Sequence, residues 1–534
     1  MNSARGPCDE AILRAAAEPA PGEPTSGPWV LAATVLGSSM AFLDGTVVNV
    51  ALPVIQKDLS ASVSGAQWVV EAYLLFLSSL VLVGGSLGDR MGRRRVFVGG
   101  AALFAVSSAA CGLAPGIHAL IAARAAQGIG AALLVPTSLA ILGAAFPASA
   151  RGRAVGTWSA LTAIATVIGP VLGGWLVQAL SWRAVFFLNL PLAAAVIRIA
   201  ATKIPESRDP KAAKLDLPGA ILATVGLAGL VFGLIEAPGT GWRDLRVGAA
   251  LAVGAAALLA LAFVERRSRH PMVPPDLFRN STFTGANLLT LFLYAALSAA
   301  FFFLPFNLIQ AQGYSPAQAG AAMLPLVLIV FGLSRWSGAI ADRVGPRIPL
   351  ITGPAIAALG FLLLALPVEG ARYATAFLPA LCVVGLGLAT TVAPLTTTVL
   401  NSVDREREGT ASGINNAVAR VAGLIAIAAV GIVFSHSFDR SLDRRLSEAG
   451  VSNAARTISR SERLKLGAAQ APPNLTPAET RQVRRAIAAS VVTAFRLCMM
   501  IAAALALLGS ASAVVCIRAA PATSRAAPGP ASDS

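Results

Sequence analysis

The chain has 534 residues, 56% of them hydrophobic and only 13% charged, with a mean hydropathy of +0.71 and a net charge of +16. A soluble fold of this length has too much wetted surface for so few charges, and a disordered chain has the opposite composition. What remains is a polytopic integral membrane protein; the 37 Arg and 5 Lys sit in short clusters between apolar runs, which suits cytoplasmic loops and excludes a nucleic-acid partner.

Residues 1–28 are polar and rich in Pro and Ala. They read as a disordered cytoplasmic tail and not as a cleaved signal, because the first apolar stretch is already a full span. Apolar stretches of about 20 residues cross a bilayer as helices, which satisfy their own backbone polar groups. Fourteen are read near 29–53, 68–88, 96–114, 119–146, 154–179, 184–202, 217–236, 246–264, 282–311, 318–341, 348–367, 372–399, 409–434 and 487–517. Residues 435–486 are polar and charged, and are expected to form short amphipathic helices interrupted at Pro472-Pro473. Residues 518–534 form a second tail. The short loops and tails on the side of residues 89–95 hold 22 Lys and Arg, those on the other side 5. The first side is therefore predicted to be cytoplasmic, with both termini there and the 435–486 loop outside. Low Lys with high Ala and Arg points to a GC-rich bacterial source, hence the bacterial cytoplasmic membrane.

The five Cys include no CxxC, and Cys111, Cys382, Cys498 and Cys516 read as small apolar fillers. His118, His270 and His436 are far apart, so no metal cluster or cofactor is indicated. The chain contains no Gly-Lys dipeptide and so no phosphate-binding loop for ATP. No nucleophile constellation suggests an enzyme.

An internal repeat is present. Gly85-Ser-Leu-Gly88-Asp89-Arg90-Met-Gly92-Arg93 matches Gly338-Ala-Ile-Ala341-Asp342-Arg343-Val-Gly345-Pro346 at an offset of 253, and the same offset maps Gly156-Thr157-Trp-Ser159 onto Gly409-Thr410-Ala-Ser412. Both Asp-Arg-x-Gly loops fall on one side, so the repeats run parallel, as in transporters whose halves are related by an axis along the membrane normal. Spans 1–6 and 9–14 are the predicted halves, two six-helix bundles over 29–202 and 282–517. Residues 203–281 carry an inserted pair of spans.

Five motifs carry a resemblance that covers about 29–517. They are Leu43-Asp44-Gly-Thr46-Val-Val-Asn49-Val-Ala-Leu-Pro53, the Gly85–Arg95 loop, Arg124-Ala-Ala-Gln127-Gly128-Ile-Gly130, Gly169-Pro170-Val-Leu-Gly173-Gly174 and Trp182-Arg183-Ala-Val-Phe186-Phe-Leu-Asn189-Leu-Pro191. Together they resemble the major facilitator superfamily, and most nearly its fourteen-span drug:proton antiporters of the EmrB/QacA type. The resemblance implies a major facilitator fold, exchange of a small-molecule substrate for protons, and alternating access. It further implies a gating loop formed by Gly85, Asp89, Arg90, Gly92 and Arg93, repeated at Asp342 and Arg343. It marks Gly169, Pro170, Gly173 and Gly174 as the antiporter motif of exporters. Small residues at 152, 156, 160, 165, 169 and 173 are spaced so that another backbone can pack closely.

Charges inside spans are costly and usually functional. Asp44 is the only charge in span 1, Glu71 lies inside span 2 and Arg124 inside span 4. Arg335, Arg420 and Arg496 are read as deeper cations, and Glu236 as the wetted end of span 7. Low dielectric favours a neutral carboxyl and a nearby cation favours the charged one, so such a group can alternate between the two. Asp44 is the leading proton site, Arg124 its electrostatic modulator, and Glu71 the second proton site; a fixed structural ion pair is the competing reading. Asp44→Asn is expected to abolish coupled efflux with expression unchanged. Phe301-Phe302-Phe303 and Tyr294 read as packing rather than as a drug pocket. The expected function is proton-coupled efflux of small amphipathic or cationic drugs; the alternative is export of one narrow metabolite or self-made antibiotic.

Overall fold

The computed structural model describes residues 27–208, 216–268, 274–404, 407–449 and 475–517, and a few helical residues there, among them Arg335, Asp342 and Arg343, are described by backbone alone. The two expected tails, except Gly27 and Pro28, lie outside the described residues.

The protein is all-α. In chain order the helices are α1 Gly27–Asp58, α2 Val63–Met91, α3 Arg93–Gly112, α4 Ile117–Ala145, α5 Ala148–Ala179, and α6 in two pieces, Trp182–Phe187 and Asn189–Lys203. Then come α7 Leu217–Thr240, α8 Leu245–Arg267, and α9 Ser281–Phe306, which runs on into a π-helical turn Asn307–Ala311. The rest are α10 (Pro316–Ala321 and Leu324–Val344), α11 Arg347–Leu364, α12 (Tyr373–Ala376 and Leu378–Asn401), α13 Glu408–Glu448 and α14 Pro477–Cys516, with a 3-10 turn Pro275–Arg279 ahead of α9. Among the described residues 13 helical segments are long and apolar enough to cross a membrane, and α5 adds a shorter apolar stretch, Ile164–Ala179. Every span read from the sequence therefore has its helix.

Helix neighbours repeat with a shift of eight. In the first part α2 packs on α4, α3 on α4, α1 on α5, α1 on α6 and α3 on α6. In the second part α10 packs on α12, α11 on α12, α9 on α13, α9 on α14 and α11 on α14. The turns repeat too. Gly92 and Gly345 both end a helix at positive φ (112° and 81°), a conformation that costs a Cβ-bearing residue energy. One loop earlier, Ser60 and Gly313 share positive φ, and Ser62 and Ser315 cap the next helix with their side chains. All three pairs are 253 residues apart in the sequence.

The inserted helix α7 lies against both α2 and α13, and α8 packs on α7. Trp68 of α2 donates its Nε1 to Glu236 of α7 at 2.9 Å, so Glu236 has a specific partner where a merely wetted end was expected.

At the end away from Asp89 the two six-helix sets touch closely. A Cβ on Gly174 would strike the Pro316 carbonyl, and one on Gly320 the Pro170 carbonyl. Gln310 Nε2 donates to Gln56 Oε1 at 3.0 Å, and Gln67 Nε2 donates to the Ile427 carbonyl at 2.9 Å.

The 435–486 region differs from expectation. α13 runs unbroken to Glu448 and α14 already starts at Pro477. Phe438, Leu442 and Leu446 recur every four residues and are buried, so one continuous helix satisfies them where separate short helices were expected. Pro472-Pro473 lies outside the described residues. The aromatic stretch of α9 is core: Phe302 and Phe303 are buried, and Phe303 stacks on Phe434 at 4.6 Å.

Candidate functional site

Asp44 sits in the interior of the first six-helix set and is 1% exposed. Its carboxylate pairs with Arg124 Nη1. It also accepts from Gln127 Nε2 at 3.0 Å and from Asn189 Nδ2 at 3.2 Å. Arg124 is itself 1% exposed; its Nη1 also donates to Gln127 Oε1 at 2.7 Å and its Nε to the Val69 carbonyl at 2.9 Å. Arg124 and Gln127 are three apart on α4, so both face the same way. The guanidinium lies 4.3 Å from the Tyr73 ring centroid and 5.9 Å from that of Phe186. Ser108 of α3 closes the knot, accepting from Gln127 and Asn189 and donating to the Phe186 carbonyl at 2.8 Å.

Three of the sequence motifs thus meet at one point, through Asp44, Arg124 with Gln127, and Asn189. Ser108 and Tyr73 were not anticipated; a serine or tyrosine in an apolar span has no local signature. The knot is not duplicated: at the repeat offset Asp44 maps to Leu297, Arg124 to Phe377 and Gln127 to Ala380.

Glu71 is separate. It is 0% exposed, and neither carboxylate oxygen has a hydrogen-bond partner. It lies one helical turn beyond Gln67, on the side of α2 that meets α13. An unpaired carboxyl in a dry interior is stable when it carries its proton or meets a cation. Arg420 lies on α13, within a span as expected. Arg496 does not lie deep: its Nε donates at 2.8 Å to the carbonyl of Ala365, the residue that caps α11, so it is level with the end of that helix.

The residues expected to form the gating loop end α2 and begin α3. Arg93 pairs with Asp89 (Nη2–Oδ1 2.7 Å) inside the same loop, and Arg90 is exposed. Glu206, from beyond α6, accepts the backbone N–H groups of Arg94 and Arg95. A Cβ on Gly88 would meet Thr137, whereas Gly85 has ordinary contact with Pro136. The side chains of Asp342 and Arg343 lie outside the described residues.

In α5, a Cβ on Gly169 would collide with Thr46 and one on Gly173 would come 2.7 Å from Val47, so α5 and α1 pack nearly backbone to backbone. Gly174 turns instead toward α10. Among the described residues nothing lies within 4 Å of a Cβ on Gly156, so no backbone packs against that glycine as the spacing suggested. Trp182 and Arg183 tie α6 to the end of α1, donating to Asp58 at 2.7 and 3.2 Å. Among the described residues no group of His, Cys, Asp and Glu could hold a metal ion.

The family model described as Major Facilitator Superfamily matches residues 34–427. The multidrug resistance protein Stp of Mycobacterium tuberculosis (strain CDC 1551 / Oshkosh) is 36% identical over 78% of each chain. The tetracenomycin C resistance and export protein of Streptomyces glaucescens is 31% identical over 93% of this chain and 94% of its own. Among solved structures, a bacterial homologue of the human lysosomal transporter Spinster, inward-facing and unoccupied, matches with a TM-score of 0.62 at 18% identity, over 92% of this chain and 98% of its own. The xylose transporter XylE of E. coli matches with a TM-score of 0.56 at 15% identity, over 93% and 98%.

Proposed function

We propose, for a chain that belongs to the major facilitator superfamily and is a multi-pass membrane transporter, that it expels small amphipathic or cationic compounds from the bacterial cell in exchange for protons. The names of its relatives, a multidrug resistance protein and a resistance and export protein, support the direction of transport. The observation that carries proton exchange is Glu71, a fully buried carboxyl without a partner beside the second six-helix set.

In this reading residues 29–202 and 282–517 are two rocking bundles, and 203–281 an insert that bridges them. The arginine-rich end faces the cytoplasm, as the distribution of Lys and Arg supports, with both termini there. The close contacts of Gly174 with Pro316 and Gly320 with Pro170 then seal the outer side, and substrate loads from the cytoplasm. Rocking separates those contacts and brings the Asp89 and Asp342 loops toward the other bundle. Asp89, paired with Arg93 here, exchanges that partner as the halves close.

The two carboxyls have different tasks. Asp44 is satisfied by Arg124, Gln127 and Asn189, so it ties α1 to α4 and α6 and sets the field of the first bundle. Glu71 has no such partners and is the group that takes and releases the transported proton. Proton and cationic substrate compete for it, which couples their opposite movements.

Ethidium efflux from proteoliposomes with an imposed pH gradient tests this. Wild-type efflux is expected to collapse with a protonophore, and Glu71→Gln, which mimics the protonated carboxyl, to lose the response to the gradient and to bind dye more weakly. A Glu71→Gln protein with wild-type gradient dependence refutes the assignment. The name of the tetracenomycin C relative favours a second reading, export of one compound. A growth-protection screen separates the two: resistance to several unrelated cations supports the first, resistance to one compound the second.

A further inference from the structure

α13 and α14 run past the rest of the bundle at the end opposite Asp89, and two contacts mark the level where the bundle stops. Gln67, one turn into α2, donates to the Ile427 carbonyl and presses on Gly431 of α13. Arg496 of α14 reaches the cap of α11 at Ala365. Beyond these contacts α13 continues to Glu448 and α14 back to Pro477, and the π-helical turn Asn307–Ala311 that ends α9 still packs on the first part of this stretch of α14. Phe438, Leu442 and Leu446 of α13 and Val483 and Ile487 of α14 are buried in one apolar cluster, and the two helices of this stalk pack on each other.

His436, Arg440 and Arg444 recur every four residues on α13 and so form one exposed stripe. None of the three has a hydrogen bond or ion pair among the described residues. The stripe borders a cleft of about 620 Å³ at the root of the stalk. The cleft is apolar where the bundle ends, at Ile432, Val433 and Leu497, and cationic just above. Arg445 is turned aside to the hydroxyls of Ser441 and Thr493, and Glu448 is the one carboxylate among the lining residues, at the end of α13. Only five cations occupy the short loops on this side of the protein, so membrane topology does not call for the stripe.

We propose that this cleft holds one anionic phospholipid of the adjoining leaflet. Its phosphodiester lies between His436, Arg440 and Arg444, and its acyl chains lie against Ile432, Val433 and Leu497. The polarity runs in the order of a lipid, apolar at the depth of the hydrocarbon and cationic at the depth of the headgroups. A free phosphate would leave the apolar floor unused, and a neutral lipid would leave the cations unpaired. The assignment is independent of the transported substrate.

The full-length protein is purified in nanodiscs of mixed phosphatidylglycerol and phosphatidylcholine, and the co-purifying lipid is measured by native mass spectrometry. The wild type is expected to retain phosphatidylglycerol selectively. Arg440→Gln/Arg444→Gln is expected to bind it about 30-fold more weakly, from roughly a factor of five for each Arg beside an anionic headgroup. Arg481→Gln/Arg484→Gln, which removes two exposed charges of the same stalk that do not line the cleft, is expected to keep it. Equal retention of both lipids by the wild type, unchanged retention in Arg440→Gln/Arg444→Gln, or equal loss in the control pair overturns the proposal. Displacement of the lipid by excess glycerol phosphate overturns it too, since the headgroup alone would then account for binding. Unchanged lipid with lost export of an anionic compound would assign the cleft to substrate instead.

Discussion

Removing one member of the Asp44–Arg124 pair tests the polar knot directly. The Asp44 carboxylate accepts from Arg124, Gln127 and Asn189, and both charged residues are 1% exposed. Asn at position 44 offers one acceptor oxygen in place of two, and its amide would face donors on Gln127 and Asn189. Arg124 would keep the Val69 carbonyl and Gln127 Oε1 but lose its countercharge. Breaking one side of a buried pair costs about 3–5 kcal/mol. With an unfolding entropy of about 2.1 cal/mol/K per residue, a 534-residue chain should then melt roughly 3–5 °C lower. The expectation that Asp44→Asn leaves the protein's level unchanged is therefore revised: the variant should be less stable as well as less active. Arg124→Gln should cost a similar amount, and Asp44→Asn/Arg124→Gln clearly less than the sum, because no buried charge is left alone. The assay is tryptophan-fluorescence melting of the purified protein at one fixed pH, for all four members of the cycle. Strictly additive losses, or either single variant within about 1 kcal/mol of wild type, would refute the argument.

Glu71→Gln should behave in the opposite way. With no partner to lose, it should melt within about 1 kcal/mol of wild type, and a loss of 3 kcal/mol or more would reveal a charged Glu71. Gly174→Val should force α5 and α10 apart, because even a Cβ collides with the Pro316 carbonyl; overpacking of this kind costs about 1–3 kcal/mol. A cysteine placed at Gln56 should then react faster with an impermeant maleimide than the same cysteine beside Gly174, above the background of the five native cysteines; equal rates would refute the seal. The hydrogen bond from Arg407 holds the Asp276 carboxyl below its ordinary range, so this contact is present at neutral pH and is lost as pH falls through the lowered value. Asp276→Asn should therefore speed hydrogen exchange around residues 275–280 at neutral pH, and the difference should shrink in acid as the wild-type carboxyl takes up its proton. An effect of equal size at neutral and acid pH would show that the ion pair is not its source.

The spans, the repeat and the motif residues could be read from the chain, because each rests on short-range chemistry. The length of an apolar run decides whether it crosses a bilayer, and loop cations decide which side it starts from. Gly92 and Gly345 were legible because a helix end at positive φ favours glycine wherever it occurs. Which charges meet depends on the packing of distant helices. Asp44 finds Arg124 and Asn189 across 80 and 145 residues, and nothing local distinguishes it from Glu71, which ends without a partner on the side toward α13. Tertiary packing likewise set α7 between α2 and α13. It also turned the polar 435–448 stretch into a helical extension, by giving Phe438, Leu442 and Leu446 an apolar partner on α14 that a span-by-span reading cannot supply. A side chain's partner is fixed by the packing of distant helices, whereas its membership of a span is fixed by its neighbours in the chain.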